Sequence, residues 1–351
     1  MPTDLPPLPA QPADTAWPTE AWPTGPLPDG ADAARIQAML DHAFQAEPPA
    51  DLAETQAVVV IHKGRLVTER YGPKHGPEAT TWSWSMAKSM THALVGMAVL
   101  DGKLDAHAPA AVPEWRGADD PRGAITLDQL LRMSSGLAFR EDYVASQASD
   151  VIEMLWGAGK DDTGAFAASF PLAHAPDSFF YYSSGTTNIV SRALADAIGR
   201  RGPDFHAFMT ERLFGPLGIT SAVPKFDAAG TFIGSSFCFC TPRDFARFGL
   251  LYLRDGVWEG RRLLPPGWVD YARTRTFQQP DCPDGPYGAH WWLDLAGPGS
   301  FSANGHDGQF IVCCPDRDLI VVRNGVTPTE QGPVLKAWLK DLAAAFVAPA
   351  R

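Results

Sequence analysis

The amino-acid sequence predicts an α/β (α+β) fold in which an antiparallel sheet is flanked by helices. Three observations predict it. Strand-like apolar runs occur towards both chain ends, the stretch between about 105 and 230 reads as helical pieces and loops, and the chain closes on a helix. No repeat of 20–50 residues is visible, which excludes solenoids and propellers.

In chain order, residues 1–31 are a proline-rich extension, with Pro6, Pro7, Pro9, Pro18 and Pro23 set around Trp17 and Trp22. Proline at that density is incompatible with helix or sheet interiors, so the segment should run extended, as a mobile tail or with its tryptophans docked on the body. Ile36, Met39, Leu40 and Phe44 then recur at helical spacing over 32–46. Residues 57–67 read as two strands joined at Lys63-Gly64, and residues 86–100 are apolar on nearly every side, as in a buried helix. Helical pieces follow at 127–133, 150–156, 189–198 and 204–213. Strand patterns return at 291–293, 309–312 and 319–323, before a last helix over 333–346. Helices 32–46 and 335–346 are expected to cover one face of the sheet.

With 351 residues, of which 45% are hydrophobic and 20% charged, the chain can bury a large core, and its length suits about two domains or one enzyme-sized unit. A net charge of −11 argues against nucleic acid or an anionic membrane as partner, since either needs a basic face. No run of 18 apolar residues and no signal-peptide pattern is present, so a cytoplasmic protein is expected. Cys238, Cys240, Cys282, Cys313 and Cys314 are odd in number and lack Cys-x-x-Cys spacing, which points to buried thiols. The nine histidines include no His-Glu-x-x-His, and neither a metal nor a cofactor is expected.

Three short motifs carry chemistry. Ser85-Met86-Ala87-Lys88 opens the buried helix, placing serine and lysine one turn apart on one face. Helix-start N–H groups and the dipole favour an oxyanion there. Ser85 could equally be a plain helix cap, but Lys88 lies between apolar turns, where a lysine needs partners or a shifted pKa. The second motif is Tyr181-Tyr182-Ser183-Ser184-Gly185, leading into a helix. A phenol beside a lysine ammonium ionises more readily and can serve as general base. The third is Gly305-His306-Asp307-Gly308-Gln309, where glycines allow close backbone approach and the Gln309 N–H can face a reacting carbonyl.

Taken together and in this order, the motifs resemble those of the penicillin-recognising serine hydrolases, the superfamily of class C β-lactamases, D-alanyl-D-alanine peptidases, related carboxylesterases and 6-aminohexanoate-dimer hydrolases. That family carries Ser-x-x-Lys, then Tyr-x-Asn or Tyr-x-Ser, then Lys-Thr-Gly or His-x-Gly, matched here by Ser85 to Lys88, Tyr182-Ser183-Ser184 and His306-Asp307-Gly308. Residues 125–137 and 240–249 also look like the family. The resemblance implies a discontinuous α/β domain from 32–105 and 231–351, a mainly helical domain over 106–230, and an active site between them. It implies Ser85 as nucleophile, Lys88 and Tyr182 as its proton-handling partners, and the Ser85 and Gln309 N–H groups as oxyanion hole. Ser184, His306 and Gly308 are then the expected substrate contacts. Tyr181 also fits Tyr-x-Ser, but the family has tyrosine followed at once by serine, which favours Tyr182.

Two positions depart from the lactamase pattern, Ser184 for asparagine and His306 for lysine. A histidine is only partly charged at neutral pH, so carboxylate recognition should weaken, and a small uncharged ester or amide becomes the expected substrate. Glu141-Asp142-Tyr143, Trp291-Trp292 and Gly308-Gln309 look most like the 6-aminohexanoate-dimer hydrolases and their esterase relatives, which makes Tyr143 a candidate contact. The competing readings are a β-lactamase or D-amino-acid peptidase and, from another class, a penicillin-binding sensor that acylates without turnover.

Overall fold

A run such as Val58-Val59-Val60-Ile61, apolar at every position, is stable as a strand only where both faces of the sheet are covered. The computed structural model, which describes residues 5–141, 149–276 and 285–346, has that architecture. The elements used below are α1 (Ala33–Ala43), β1 (Glu54–His62), β2 (Arg65–Tyr71), α2 (Met86–Leu100), α3 (Leu127–Leu131), α4 (Asp150–Trp156), α5 (Thr163–Ala168), α6 (Ser184–Ile198), α7 (Pro203–Met209), α8 (Pro242–Leu253), β3 (Trp292–Leu293), β4 (Phe301–Gly305), β5 (Gln309–Cys314), β6 (Leu319–Val326) and α9 (Gly332–Ala344). The strands form one antiparallel sheet in the order β2-β1-β6-β5-β4-β3, so the two chain ends meet along the β1–β6 seam, with Val59 opposite Val322 and Val60 opposite Val321.

Side-chain alternation divides the core. Val58, Val60, Val312 and Val321 pack under α1 and α9 with Ile36, Leu40, Leu335, Leu339 and Leu342. Val59, Ile61, Ile311, Ile320 and Val322 face the other way, into a cluster continuous through α2 and α8 to the helical pieces as far as Phe214. Helix α2 is buried along its length, as its all-round apolar pattern requires.

The differences from the sequence expectation have local causes. Helix α6 starts at Ser184 rather than near 189, because the Ser183 hydroxyl accepts from the Thr186 N–H and caps it. Helix α7 ends at Met209 and passes into a π turn over Thr210–Phe214. Cys238, Cys240, Cys313 and Cys314 are buried free thiols, whereas Cys282 lies outside the described residues. Among the described residues no helix is long and apolar enough to cross a membrane, and no cluster of metal-ligating side chains occurs.

The proline-rich extension is docked from residue 5 onwards. Trp22 is buried, donates from its indole to the Arg243 carbonyl and lies beneath the Arg247 guanidinium, while Trp17 packs on Trp258. Extended backbone leaves its carbonyls unpaired by helix or sheet, and buried arginines of the body use them: Arg247 donates to Pro18, Arg254 to Pro9 and Arg273 to Pro6. Removing residues 1–31 would take a backbone acceptor from each of three buried guanidinium groups, which keep their aspartate partners, each bond to a charged group being worth ~1.5–3 kcal/mol. The truncated chain is therefore expected to unfold at clearly lower urea than the full chain, by at least ~3 kcal/mol at equal m-value.

Candidate active site

Ser85 reaches its place through a tight turn. Thr81 is bridged to Cys240, and three residues on Trp84 adopts φ 44°, a left-handed conformation costly for a bulky residue. The turn delivers Ser85 as the first residue before α2. Its side chain makes no capping bond, so the hydroxyl is not consumed by the helix end. Ser85 thus stands at the cap position without capping through its side chain.

Lys88, one turn on, is fully buried, and the three hydrogens of its ammonium have three acceptors: Ser85 Oγ at 3.1 Å, Ser184 Oγ at 2.9 Å and the Ser235 carbonyl at 2.9 Å. Burial pulls its pKa down to about 8, against an upward pull from the Glu141 carboxylate. The Tyr182 ring lies beside this ammonium, its centroid 4.8 Å from Nζ, and packs on Tyr287 and Trp292. Tyr181 is more exposed, and its hydroxyl accepts from the Glu141 N–H at 3.2 Å.

Glu141, which sequence reading quoted only as part of a family-like tripeptide, lies directly behind Ser184. Its carboxylate accepts from the Ser184 hydroxyl at 2.5 Å and from the Ser184 N–H at 2.8 Å, at the start of α6. Ser184, an expected substrate contact, is fully buried, with its hydrogen given to Glu141 and a lone pair given to Lys88. Gly185 follows because a Cβ there would fall 2.6 Å from the Phe139 ring. His290 is a second residue missed among the scattered histidines. It bridges the Leu131 carbonyl and the Thr187 hydroxyl, its backbone carbonyl accepts from Ser89 on α2, and burial holds its pKa down to about 3, so the ring is neutral.

The third motif borders the same turn. Gly305 ends β4 against residues 83–84, where a Cβ would lie 2.4 Å from the Ser83 carbonyl. His306 stacks edge-on to Trp84 at 5.4 Å and pairs with Asp307 at 3.2 Å. Gly308, an expected substrate contact, is half-buried: at φ 80° its missing Cβ leaves room for Arg323 and Leu335, and Arg323 donates to the Gly308 carbonyl. The Gln309 side chain is also turned inward, donating to the Gly325 carbonyl, while its backbone stands opposite Gly305 at the end of the β4–β5 pair. Tyr143 lies outside the described residues.

Ser85, Lys88, Tyr182 and Ser184 thus form one cluster, with His306 joined to it through Trp84. A serine hydroxyl bonded to a buried lysine of lowered pKa is an arrangement suited to acyl transfer.

Comparison with known proteins gives a consistent result. A family model described as Beta-lactamase matches residues 40–344. The 6-aminohexanoate-dimer hydrolase of Paenarthrobacter ureafaciens is 26% identical over 289 residues, spanning 77% of this chain and 72% of that protein. A solved structure from Bacillus anthracis, provisionally described as a 6-aminohexanoate-dimer hydrolase, superposes with a TM-score of 0.74 at 20% identity, over 96% of this chain and 89% of its own. A family VIII carboxylesterase superposes with a TM-score of 0.66 at 13% identity, over 91% and 99%. At those identities the structural likeness establishes the fold.

Proposed function

The chain belongs to the beta-lactamase family of serine hydrolases, and from that premise we propose that it cleaves esters or uncharged amides of small molecules through an acyl-enzyme on Ser85. The observation that carries this reading is the contact of the buried Lys88 amine with the Ser85 hydroxyl at 3.1 Å.

The partners of Lys88 give the proton a direction. When the amine is neutral its new lone pair needs a donor. The Ser235 carbonyl has no hydrogen, and that of Ser184 is held by Glu141, so Ser85 is the partner able to give one. With its pKa near 8, roughly a tenth of Lys88 is neutral at pH 7. Ser85 Oγ attacks the carbonyl as its proton passes to the Lys88–Tyr182 pair, and the Ser85 and Gln309 N–H groups receive the oxyanion. The pair then protonates the leaving alcohol or amine, and the same groups activate the water that hydrolyses the acyl-enzyme. His306, already paired with Asp307, offers a substrate carboxylate less than a lysine would, which favours uncharged substrates.

A panel of p-nitrophenyl acetate, a chromogenic cephalosporin and a linear 6-aminohexanoate dimer, each run with Ser85→Ala as control, tests the reading. Ser85-dependent turnover of the ester or the linear amide, faster than of the cephalosporin, is expected. A lasting penicillin adduct by intact mass, with no turnover of any of the three, would replace the hydrolase with a sensor. The tyrosine assignment has its own test. Tyr182→Phe is expected to lower kcat by ~100-fold or more, a usual loss for a removed general acid–base, whereas Tyr181→Phe forfeits one loop hydrogen bond and should stay within ~fivefold of the parent. The reverse ranking would exchange their roles.

A further inference from the structure

The turn that presents Ser85 also builds an aromatic surface. Segments 81–84 and 237–240 meet at Thr81 and Cys240, which exchange backbone hydrogen bonds, and at Ser83, whose hydroxyl accepts from the Cys238 N–H. Thr81, Ser83, Cys238 and Cys240 are buried, and Trp82, Trp84, Phe237 and Phe239 come together on the other face. The Trp82 and Trp84 rings stack at 5.0 Å and 19°, Phe239 is 4.6 Å from Trp82, and Trp156, at the end of α4, reaches Phe237 at 6.0 Å. His306 closes the other end against Trp84. The strip therefore runs from the sheet edge to the helical part past the residue preceding Ser85. Trp82 is 47% and Trp156 51% exposed, the two most exposed tryptophans among the described residues.

We propose that this strip is a substrate subsite which takes an extended, uncharged aliphatic chain and lays it from Ser85 across Trp84 and Trp82 towards Trp156; it rests on the reading of Ser85 as nucleophile. Position is the first support. Trp84 adjoins Ser85, and Phe237 lies two residues beyond Ser235, whose carbonyl holds Lys88, so strip and nucleophile are built from the same two segments. Chemistry is the second. Covering exposed indole faces removes apolar surface from water, and an alkyl chain laid flat on them loses apolar surface without needing a polar partner. Charge is the third. Lys225 is engaged over the Phe239 ring at 5.5 Å, and His306 has the Asp307 carboxylate at 3.2 Å, so a chain ending in a carboxylate gains less than one ending in methyl.

The experiment compares kcat/KM for p-nitrophenyl acetate and p-nitrophenyl octanoate in the parent, Trp82→Ala, Trp82→Phe, Trp156→Ala and Ser85→Ala. The parent is expected to favour octanoate by ~tenfold or more, Trp82→Ala to cut that ratio at least ~fivefold, Trp156→Ala to cut it in the same direction, and Trp82→Phe to restore most of it. A parent ratio near one, or a ratio unmoved by both alanine variants with unchanged thermal melts, overturns the subsite while Ser85-dependent cleavage of both esters leaves the hydrolase reading standing. If cleavage proves independent of Ser85, binding of N-octylacetamide to the Ser85→Ala protein decides the subsite separately. Indole quenching by that ligand that weakens at least ~fivefold with Trp82→Ala supports it, and equal binding overturns it.

Discussion

Ser85→Ala is expected to lower kcat/KM for any ester or amide substrate by at least ~10³-fold, because removing a nucleophile disables the whole proton-handling set. Stability should barely change. The hydroxyl caps nothing, and the one bond it loses is from Lys88, which keeps Ser184 Oγ and the Ser235 carbonyl. A net change within ~1 kcal/mol follows, measurable by urea unfolding at pH 7. Hydrolysis persisting at a parental rate in a well-folded Ser85→Ala protein would refute the acyl-enzyme scheme.

The second large effect concerns Lys88. Its pKa is about 8 in the folded chain against an ordinary 10.5, so folding disfavours its proton. The sign follows from that order. Below pH 8 the buried ammonium lowers stability by its full amount, about 3 kcal/mol as an order of magnitude, and this loss disappears as pH rises through 8 towards 10.5. Lys88→Met should therefore lose turnover by at least ~10³-fold yet be no less stable than the parent at pH 7. The stability gap between the two proteins should close on going from pH 8 to 10, seen as converging urea midpoints. A variant clearly less stable than the parent at pH 7 would show that the three hydrogen bonds of Lys88 outweigh its desolvation.

Glu141→Gln probes the same group from the other side. The carboxylate pulls the Lys88 pKa upward, so its neutralisation should move the inflection near pH 8 in the kcat/KM profile to lower pH, whichever form of Lys88 is active. The carboxylate meets the Ser184 hydroxyl and N–H with separate oxygens, whereas an amide sets an NH2 against one of those donors, so the Ser184 hydroxyl loses its fixed orientation and kcat should fall as well. An inflection unmoved by the substitution would detach Glu141 from the titration of Lys88.

The legible parts of the molecule were those written in local pattern. Alternation and uninterrupted apolar runs marked β1, β5 and β6; the all-round apolar helix α2 was located to the residue, and its burial made Lys88 an anomaly in need of partners. Ser85 and Lys88 are joined by helical spacing alone, three residues apart on one face, so their contact needs nothing from the rest of the fold. The alternation that exposes Trp82 beside Trp84 was equally present in the sequence, but it gained meaning only once 237–240 was seen to pair with it.

What only the tertiary structure decided are contacts between segments distant in sequence, for which no periodicity exists. Glu141 meets Ser184 across 43 residues, and Lys88 meets the Ser235 carbonyl across 147. With the bond that Lys88 gives Ser184 across 96 residues, they set Ser184 between Glu141 and Lys88. In the same way Gly308 serves the packing of Arg323, and the proline-rich start of the chain docks rather than trails, because buried arginines elsewhere require its carbonyls. Sequence pattern reports which residues share a face of their own element. Which buried group of another element satisfies them is settled by desolvation, since a polar group taken from water must find its partner wherever the fold places one.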